Sequence, residues 1–220
     1  MSHEKQKYDF IPQLDNPANV HHIELSMVPE NSLVLDIGCH TGIFAEALKL
    51  RKNAIVVGID TDNNALEIAL PKMQAVINMN IELSGWDDEL RSRGYNNFDA
   101  IIFGDVLEHT RNPELILKAT RTLLKQDGRI IVSIPNVAQW RVRFGLLFGN
   151  FQYADFGILD RTHLRFFTSE SAKKMLEECG YRIVREDFSG FRLPHWLIRR
   201  FHGLLAFQLV YAASPMTTIE

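Results

Sequence analysis

The sequence predicts an α/β fold built on a mostly parallel sheet with helices on both faces. Apolar runs of strand length alternate with segments of helical period through residue 135, and no internal repeat interrupts them. Such alternation favours parallel strands joined by right-handed crossovers. At 220 residues the chain is long enough for one well-buried domain. We therefore expect residues 1–220 to form a single domain, with an arm and a helix within residues 1–30.

The first predicted strand ends in a glycine turn at residues 33–42. Four of its first five residues are apolar, Asp36 lies near the strand end, and Gly38 and Gly42 follow before a segment of helical period begins at Ile43. Glycine permits positive φ and close approach of a ligand to the main chain, beside the partly positive helix N-terminus. The pattern indicates a nucleotide site, although an ordinary glycine turn is the alternative.

The acid in this turn selects among nucleotides. A dinucleotide turn has the pattern G-x-G-x-x-G and holds a pyrophosphate, whereas the pattern here is Asp36-x-Gly38-x-x-x-Gly42. A carboxylate at the strand end repels an anion and favours a cation. S-adenosylmethionine fits, because it has an ammonium and a sulfonium and no phosphate.

This acid-glycine-glycine pattern resembles the first motif of the class I S-adenosylmethionine-dependent methyltransferases. The resemblance extends over nearly the whole chain and implies a Rossmann-like sheet of seven strands whose last strand is antiparallel. It also implies S-adenosylmethionine as cofactor, contacted by Asp36, Gly38, Cys39 and Gly42.

The second predicted strand, residues 54–59, ends at Asp60, and a helix follows at 63–70. Because the ends of parallel strands share one edge of the sheet, Asp60 is placed to accept the ribose hydroxyls, with Thr61 beside it. The alternative, a helix cap, is compatible with Asp62 in that role. A third strand at 75–79 leads to Asn80, where the family resemblance implies an acid that meets adenine. The assignment between Asn80 and Glu82 stays open.

A helix at 86–93 precedes the fourth strand, residues 98–103. The segment after that strand resembles the fourth motif of the small-molecule, ubiquinone-type O-methyltransferase branch. The resemblance implies Asp105 and Val106 near the methionine part of the cofactor, and Glu108 and His109 toward the acceptor. A structural role in a buried loop is the alternative. A helix at 113–124 and a fifth strand at 129–134 follow, ending at Asn136, a further acceptor-side candidate.

Residues 137–167 are predicted to form a lid over the carboxyl edge of the sheet. Trp140 and Tyr153 are its candidate acceptor contacts, among other aromatic residues interleaved with arginines. Core packing or a homodimer contact is an equal alternative for the aromatic residues, and a contact with a membrane surface is a weaker one.

The run from Asp160 to Thr168 resembles a D-R-T-H-x-R-F-F-T segment of bacterial methyltransferases associated with sugars, surface polysaccharides or small metabolites. His163 is suited to accept a proton near neutral pH, with Asp160 or another carboxylate to orient it, or else it holds the lid structurally. Beyond this run we expect a helix at 169–179, a sixth strand at 180–186, a short helix at 193–201 and a seventh strand at 203–213.

Composition limits the cellular setting. The net charge of -3 and the 46% hydrophobic content are typical of a soluble protein without general affinity for nucleic acid. Cys39 and Cys179 are too few for a disulfide framework and lack metal-ligand spacing, and adjacent His21 and His22 make a poor metal pair. We expect no metal, no signal peptide, no membrane span and a cytoplasmic protein.

Together these features predict transfer of a methyl group by direct displacement to a small-molecule or saccharide acceptor, on oxygen. His163 or His109 is the expected base for an alcohol acceptor. A non-catalytic binding subunit of the same fold is the alternative. A nicotinamide oxidoreductase is disfavoured by Asp36 and by the absent third glycine of the turn.

Overall fold

A computed structural model describes residues 14–190 and 193–216. The first thirteen residues of the predicted N-terminal arm lie outside this range. Within the described residues, no helix combines the length and the hydrophobicity required to cross a lipid bilayer.

Seven strands form one sheet in the order β3-β2-β1-β4-β5-β7-β6. The neighbours from β3 through β5 pair in parallel, and β7 is antiparallel to both β5 and β6. The predicted mostly parallel sheet with an antiparallel last strand is confirmed. The strands are β1 (Leu33–Ile37), β2 (Ile55–Asp60), β3 (Ala75–Asn78), β4 (Phe98–Gly104), β5 (Leu124–Pro135), β6 (Tyr181–Ser189) and β7 (Gln208–Pro215).

The helices follow the predicted spacing, and polar side chains cap four of their N-termini. Asn19 accepts the amide of His21, and Asp62 accepts two amides at the start of α3. Gln139 accepts the amide of Arg141, and Thr168 forms a capping box with Ser171. The helices are α1 (Val20–Met27), α2 (Ile43–Lys52), α3 (Asn63–Ala69), α4 (Trp86–Ser92), α5 (Pro113–Thr120), α6 (Trp140–Leu147), α7 (Ser169–Glu178), α8 (His195–Arg200) and α9 (His202–Leu205).

Both faces of the sheet are buried, as continuous apolar strands require. Alternate side chains of the central strands go to opposite faces, so Leu35 and Phe103 lie in one core cluster while Val34 and Ile102 lie in the other. The carboxyl ends of β1, β2 and β4 meet at one edge of the sheet, where the predicted site residues follow the strands.

Two strands, β5 and β7, begin far from their predicted starts. The seventh strand begins at Gln208, because Gly203 through Leu205 belong to α9; an apolar run without alternation does not distinguish helix from strand. The fifth strand begins at Leu124, so residues 124–128 belong to the strand and not to the predicted helix and turn. Gly128 permits this path, since a Cβ there would lie 2.8 Å from the carbonyl oxygen of Phe98.

Candidate active site

The turn after β1 brings the main chain close to its neighbours. Gly38 has φ +75°, and a Cβ on it would lie 2.7 Å from Cγ2 of Val106. Its amide donates to the carbonyl of Ile59 over 2.8 Å, which fastens the turn to β2. Gly42, with φ +71°, caps α2. Only glycine fits both conformations without strain.

The thiol of Cys39 packs against β2. Cys39 is buried, and a Cβ on Gly58 of β2 would lie 2.6 Å from its sulfur. Burial raises the pKa of the Cys39 thiol, with a further contribution from the charge of Asp36. Cys39 therefore offers a ligand its main chain rather than a reactive thiolate.

Asp60 lies across the turn at the end of β2. One carboxylate oxygen accepts the amide of His40 over 2.8 Å, and the other accepts the amides of Thr61 and Asp62 over 2.7 and 3.0 Å. These three donors fix the carboxylate against the glycine turn. Its remaining lone pairs suit hydroxyl donors.

Two acids lie at the ends of the central strands, Asp36 buried and Asp105 half-buried. Asp36 is 5% exposed on β1, and burial, followed by the charge of Glu24, raises its pKa to about 7. Asp105 follows β4 with φ +53°, and burial and then Glu24 raise its pKa to about 6. The carboxylate of Asp105 accepts hydrogen bonds from Gln208 over 2.5 Å and Ser133 over 3.4 Å.

The sequence analysis missed a third acid at this edge. Glu24 of α1 is 1% exposed, and its Oε2 lies 3.2 Å from Nδ1 of His21. Burial lowers the pKa of His21, but the hydrogen bond and charge of Glu24 outweigh it and raise the pKa above its ordinary value. The available signal was a histidine and an acid three residues apart on a helix preceding the first strand.

The polar side chains predicted to lie near the adenine form hydrogen bonds with backbone groups. Asn80 is exposed, and its side-chain oxygen accepts the amide of Glu82 over 2.9 Å. A carboxylate oxygen of Glu82 in turn accepts the amide of Arg111 over 2.7 Å. Asn78, which is not among the predicted site residues, donates a hydrogen bond to the carbonyl of Thr61 over 2.9 Å. This bond ties β3 to the turn after Asp60.

The structure brings Glu108, His109 and His163 together. The rings of His109 and His163 are 4.8 Å apart in a T-shaped arrangement, and each of the three residues offers a polar atom within 4.8 Å of the others. Neither carboxylate oxygen of buried Glu108 has a hydrogen-bond partner within residues 14–190 and 193–216. Burial, with a contribution from Asp105, raises the pKa of Glu108 well above its usual range.

Backbone carbonyls hold both histidine rings. Nδ1 of His163 lies 3.1 Å from the carbonyl of Ile158, and Nδ1 of His109 lies 3.3 Å from the carbonyl of Thr162. A neutral ring that donates from Nδ1 presents Nε2 as a proton acceptor. The cluster therefore has the chemistry of a general base, and its ligand types also suit a divalent cation.

The run from Asp160 to Thr168 is attached to the loop after β4 by its main chain. The carbonyl of Glu108 accepts the amides of Leu164 and Arg165 over 2.8 and 3.0 Å. Asp160, predicted as an orienting acid for His163, accepts both the amide and the hydroxyl of Thr162 with one oxygen. The predicted lid segment thus carries His163 to the end of β4.

An aromatic cluster adjoins His163. The ring centroids of Phe151, Tyr153 and Phe166 lie 5.6 to 6.4 Å apart, and Phe166 lies 6.2 Å from the ring of His163. Tyr153, a predicted acceptor contact, is more than half exposed within this cluster. The cluster offers flat apolar surfaces next to the histidines.

Two other predicted acceptor residues have different surroundings. Asn136 is fully buried; its amide donates to the carbonyl of Ala206 over 3.1 Å and its oxygen accepts the amide of Ala138 over 3.1 Å. These contacts give Asn136 an anchoring function, because its side chain faces the protein interior. Trp140 is exposed at the start of α6, with the guanidinium carbon of Arg141 5.3 Å from its ring centre.

The outer part of the predicted lid is apolar and exposed. Phe144, Leu147 and Phe148 on α6 and just beyond it are each more than half exposed. A homodimer contact and a membrane-surface contact both remain predictions for this face.

Fold and site together define a class I S-adenosylmethionine-dependent methyltransferase. The chain belongs to the methyltransferase domain family, whose model matches residues 17–186. It is 30% identical over 193 residues to the ubiquinone biosynthesis O-methyltransferase of Xylella fastidiosa (strain 9a5c), covering 82% of this chain and 72% of that protein. With the same-named protein of Coxiella burnetii (strain Dugway 5J108-111) it shares 30% identity over 123 residues, 56% of this chain. The match spans about half of that relative, 52% of its length.

Solved structures share the fold at low identity. A S-adenosylmethionine-dependent methyltransferase from Archaeoglobus fulgidus has a TM-score of 0.63 at 18% identity, over 88% of this chain and 90% of that chain. The 1,6-didemethyltoxoflavin-N1-methyltransferase of Burkholderia thailandensis, solved with 1,6-didemethyltoxoflavin and S-adenosylhomocysteine bound, has a TM-score of 0.61 at 18% identity. The match covers 98% of this chain and 84% of that chain.

The residues at the sheet edge fit S-adenosylmethionine. The turn at Gly38 has no room for a side chain, because Val106 packs against it. Three acids, the buried Glu24 and Asp36 and the half-buried Asp105, favour a cation over a phosphate. S-adenosylmethionine is the cofactor of this enzyme class, and the acids match its positive charges.

Proposed function

We propose that the enzyme methylates a hydroxyl oxygen of a small molecule with a flat ring. The observation that supports this best is the Glu108, His109 and His163 cluster, which joins the end of β4 to the aromatic cluster. A hydroxyl acceptor requires a base, and this cluster supplies one beside surfaces that suit a ring.

We propose that residues after different strands contact different parts of the cofactor. Asp36, Asp105 and Val106 contact the methionine part, and the main chain of Gly38, Cys39 and Gly42 lines the turn. Asp60 and Thr61 meet the ribose, and Asn80 meets the adenine. The fixed carboxylate of Asp60 and the absence of space for a side chain at Gly38 support these positions.

The protein's part in the reaction is alignment, exclusion of water and proton removal. S-adenosylmethionine, when bound, supplies an electrophilic methyl group on sulfur. His163 accepts the hydroxyl proton at Nε2, because its Nδ1 is directed at the carbonyl of Ile158. His109, with a ring 4.8 Å away, is the second candidate. Glu108, once ionised, stabilises the imidazolium that forms.

The acceptor class follows from the aromatic cluster. Phe151, Tyr153 and Phe166 suit stacking against a phenolic ring, and the relatives named for ubiquinone biosynthesis are O-methyltransferases by name. A saccharide, which can also stack its apolar face on aromatic rings, is the second acceptor class. A non-catalytic binding subunit remains the alternative to an enzyme acting on either acceptor.

The test is transfer of a labelled methyl group to a panel of phenols, catechols, amines and sugars. His163→Ala should lower turnover by about 100-fold or more, the usual contribution of a general base, with cofactor affinity unchanged within twofold. His22→Ala is the matched control, since His22 lies on α1 with its ring bonded to the carbonyl of Leu14. An unaltered rate in His163→Ala would remove that residue from the mechanism. Label recovered only on amines would refute the oxygen assignment.

The same assay separates a base from a bound cation. A divalent-cation function of Glu108, His109 and His163 predicts activity that is lost on chelation and restored by adding metal. The predicted metal-free mechanism requires full activity after chelation.

A further inference from the structure

We propose that Glu24 contacts the methionine ammonium of the cofactor directly, as a second carboxylate beside Asp36. This inference rests on the cofactor arrangement proposed above and is independent of the acceptor. It assigns to α1, which precedes the motif-bearing strands, a ligand for the amino-acid end of S-adenosylmethionine.

The first support is the environment of the Glu24 carboxylate. Glu24 is 1% exposed, and its Oε1 has no hydrogen-bond partner in the described part of the chain. A Cβ built on Gly104 would lie 3.3 Å from this oxygen, so the orphaned atom lies against the end of β4, next to Asp105. A buried carboxylate oxygen without a donor is costly, and a bound donor would remove that cost.

The second support is the imbalance of charge at the strand ends. Glu24 acts on both Asp36 and Asp105, and its charge raises the pKa of each beyond the effect of burial. Among the described residues, His21 forms an ion pair with Oε2 of Glu24. Asp105 already accepts hydrogen bonds from Gln208 and Ser133. The Oε1 atom of Glu24 and the Asp36 carboxylate are therefore the groups that an incoming cation would neutralise.

The third support is the type of cation. A primary ammonium has three donors and can meet two carboxylates at once, whereas a sulfonium has none. A phosphate in place of this ammonium would be repelled by the acids. The geometry thus fits the ammonium end of the cofactor.

The experiment compares ligands with and without the amino-acid part. Glu24→Gln and the control Glu30→Gln, an exposed acid just beyond the same helix, are titrated calorimetrically with S-adenosylhomocysteine and with 5′-methylthioadenosine. We expect Glu24→Gln to weaken S-adenosylhomocysteine binding about ten- to hundredfold, the range that one charge-assisted hydrogen bond supplies. Its affinity for 5′-methylthioadenosine should stay within twofold, and Glu30→Gln should match the wild type for both.

A second measurement separates this function from a structural one. Removing a repelling buried charge should leave the melting temperature of unliganded Glu24→Gln unchanged or raised, while its increase on adding S-adenosylhomocysteine shrinks. Equal weakening of both ligands, or unchanged affinity for S-adenosylhomocysteine, would overturn the proposal. A wild-type protein that binds neither ligand would overturn the cofactor site as a whole. No acceptor is present, so failure of the acceptor proposal would appear only in the methyl-transfer assay.

Discussion

Cofactor binding should depend on pH through the buried acids at the strand ends. Asp36 has a pKa of about 7 and Asp105 a pKa of about 6 in the ligand-free structure. The groups that face Asp36 are Glu24 and His21 from α1 and Asp60 from β2. The ammonium of the ligand requires ionised acids, so binding must release the protons that these acids hold.

The size of the effect follows from these two pKa values. At pH 6, about a tenth of Asp36 and about half of Asp105 are ionised. At pH 7.5, about three quarters of Asp36 and nearly all of Asp105 are ionised. The product of these fractions rises about 15-fold, so the Kd of S-adenosylhomocysteine should fall about 15-fold over this interval.

Calorimetric titration at pH 6 and 7.5 gives the measurement, and buffers of different ionisation enthalpy report the released protons. Near pH 7 we expect release of about half a proton from Asp36. Asp36→Asn should bind more weakly at pH 7.5 and lose most of the pH dependence. An affinity equal at both pH values, with no proton released, would refute the reasoning.

Two further substitutions have structural expectations. Gly38→Ala should abolish measurable cofactor binding and lower the melting temperature. The new methyl group would lie 2.7 Å from Val106, on a residue with φ +75°. Calorimetric binding at wild-type strength would contradict this prediction. Asn136→Ala should reduce the free energy of unfolding by about 1–3 kcal/mol, since it leaves the carbonyl of Ala206 and the amide of Ala138 unpaired. Denaturant unfolding measures that loss, and a raised KM for the acceptor in a fully stable variant would restore Asn136 to the acceptor site.

The sheet edge was predictable because its signals are local. An acid or glycine directly after an apolar run has its position fixed by the strand, so Asp36, Gly38, Asp60 and Asp105 were placed at one edge before any tertiary contact was known. The acceptor-side assignment of Glu108 and His109 came from the family resemblance. Their contact with His163 was not predicted, because nothing local joins residues so far apart in the chain.

The remaining features depend on packing that local patterns do not encode. Glu24 lies on a helix with no motif, and only the docking of α1 against the strand ends shows that its carboxylate is buried. Asn136 follows a strand as the other candidates do, yet its side chain turns toward α9. The segment from Gly203 to Leu205 has no alternation, so its helix depends on its surroundings.

Two hydrogen bonds at the carbonyl of Glu108 attach residues 160–168 to the loop after β4. Both donors, at Leu164 and Arg165, are backbone amides, so these two hydrogen bonds between the loop after β4 and residues 160–168 use no side chain. Side-chain substitution in residues 160–168 leaves these two bonds in place, provided that no proline enters at positions 164 or 165. We therefore expect side-chain replacement in this segment to change acceptor preference while its main chain stays attached to the loop after β4.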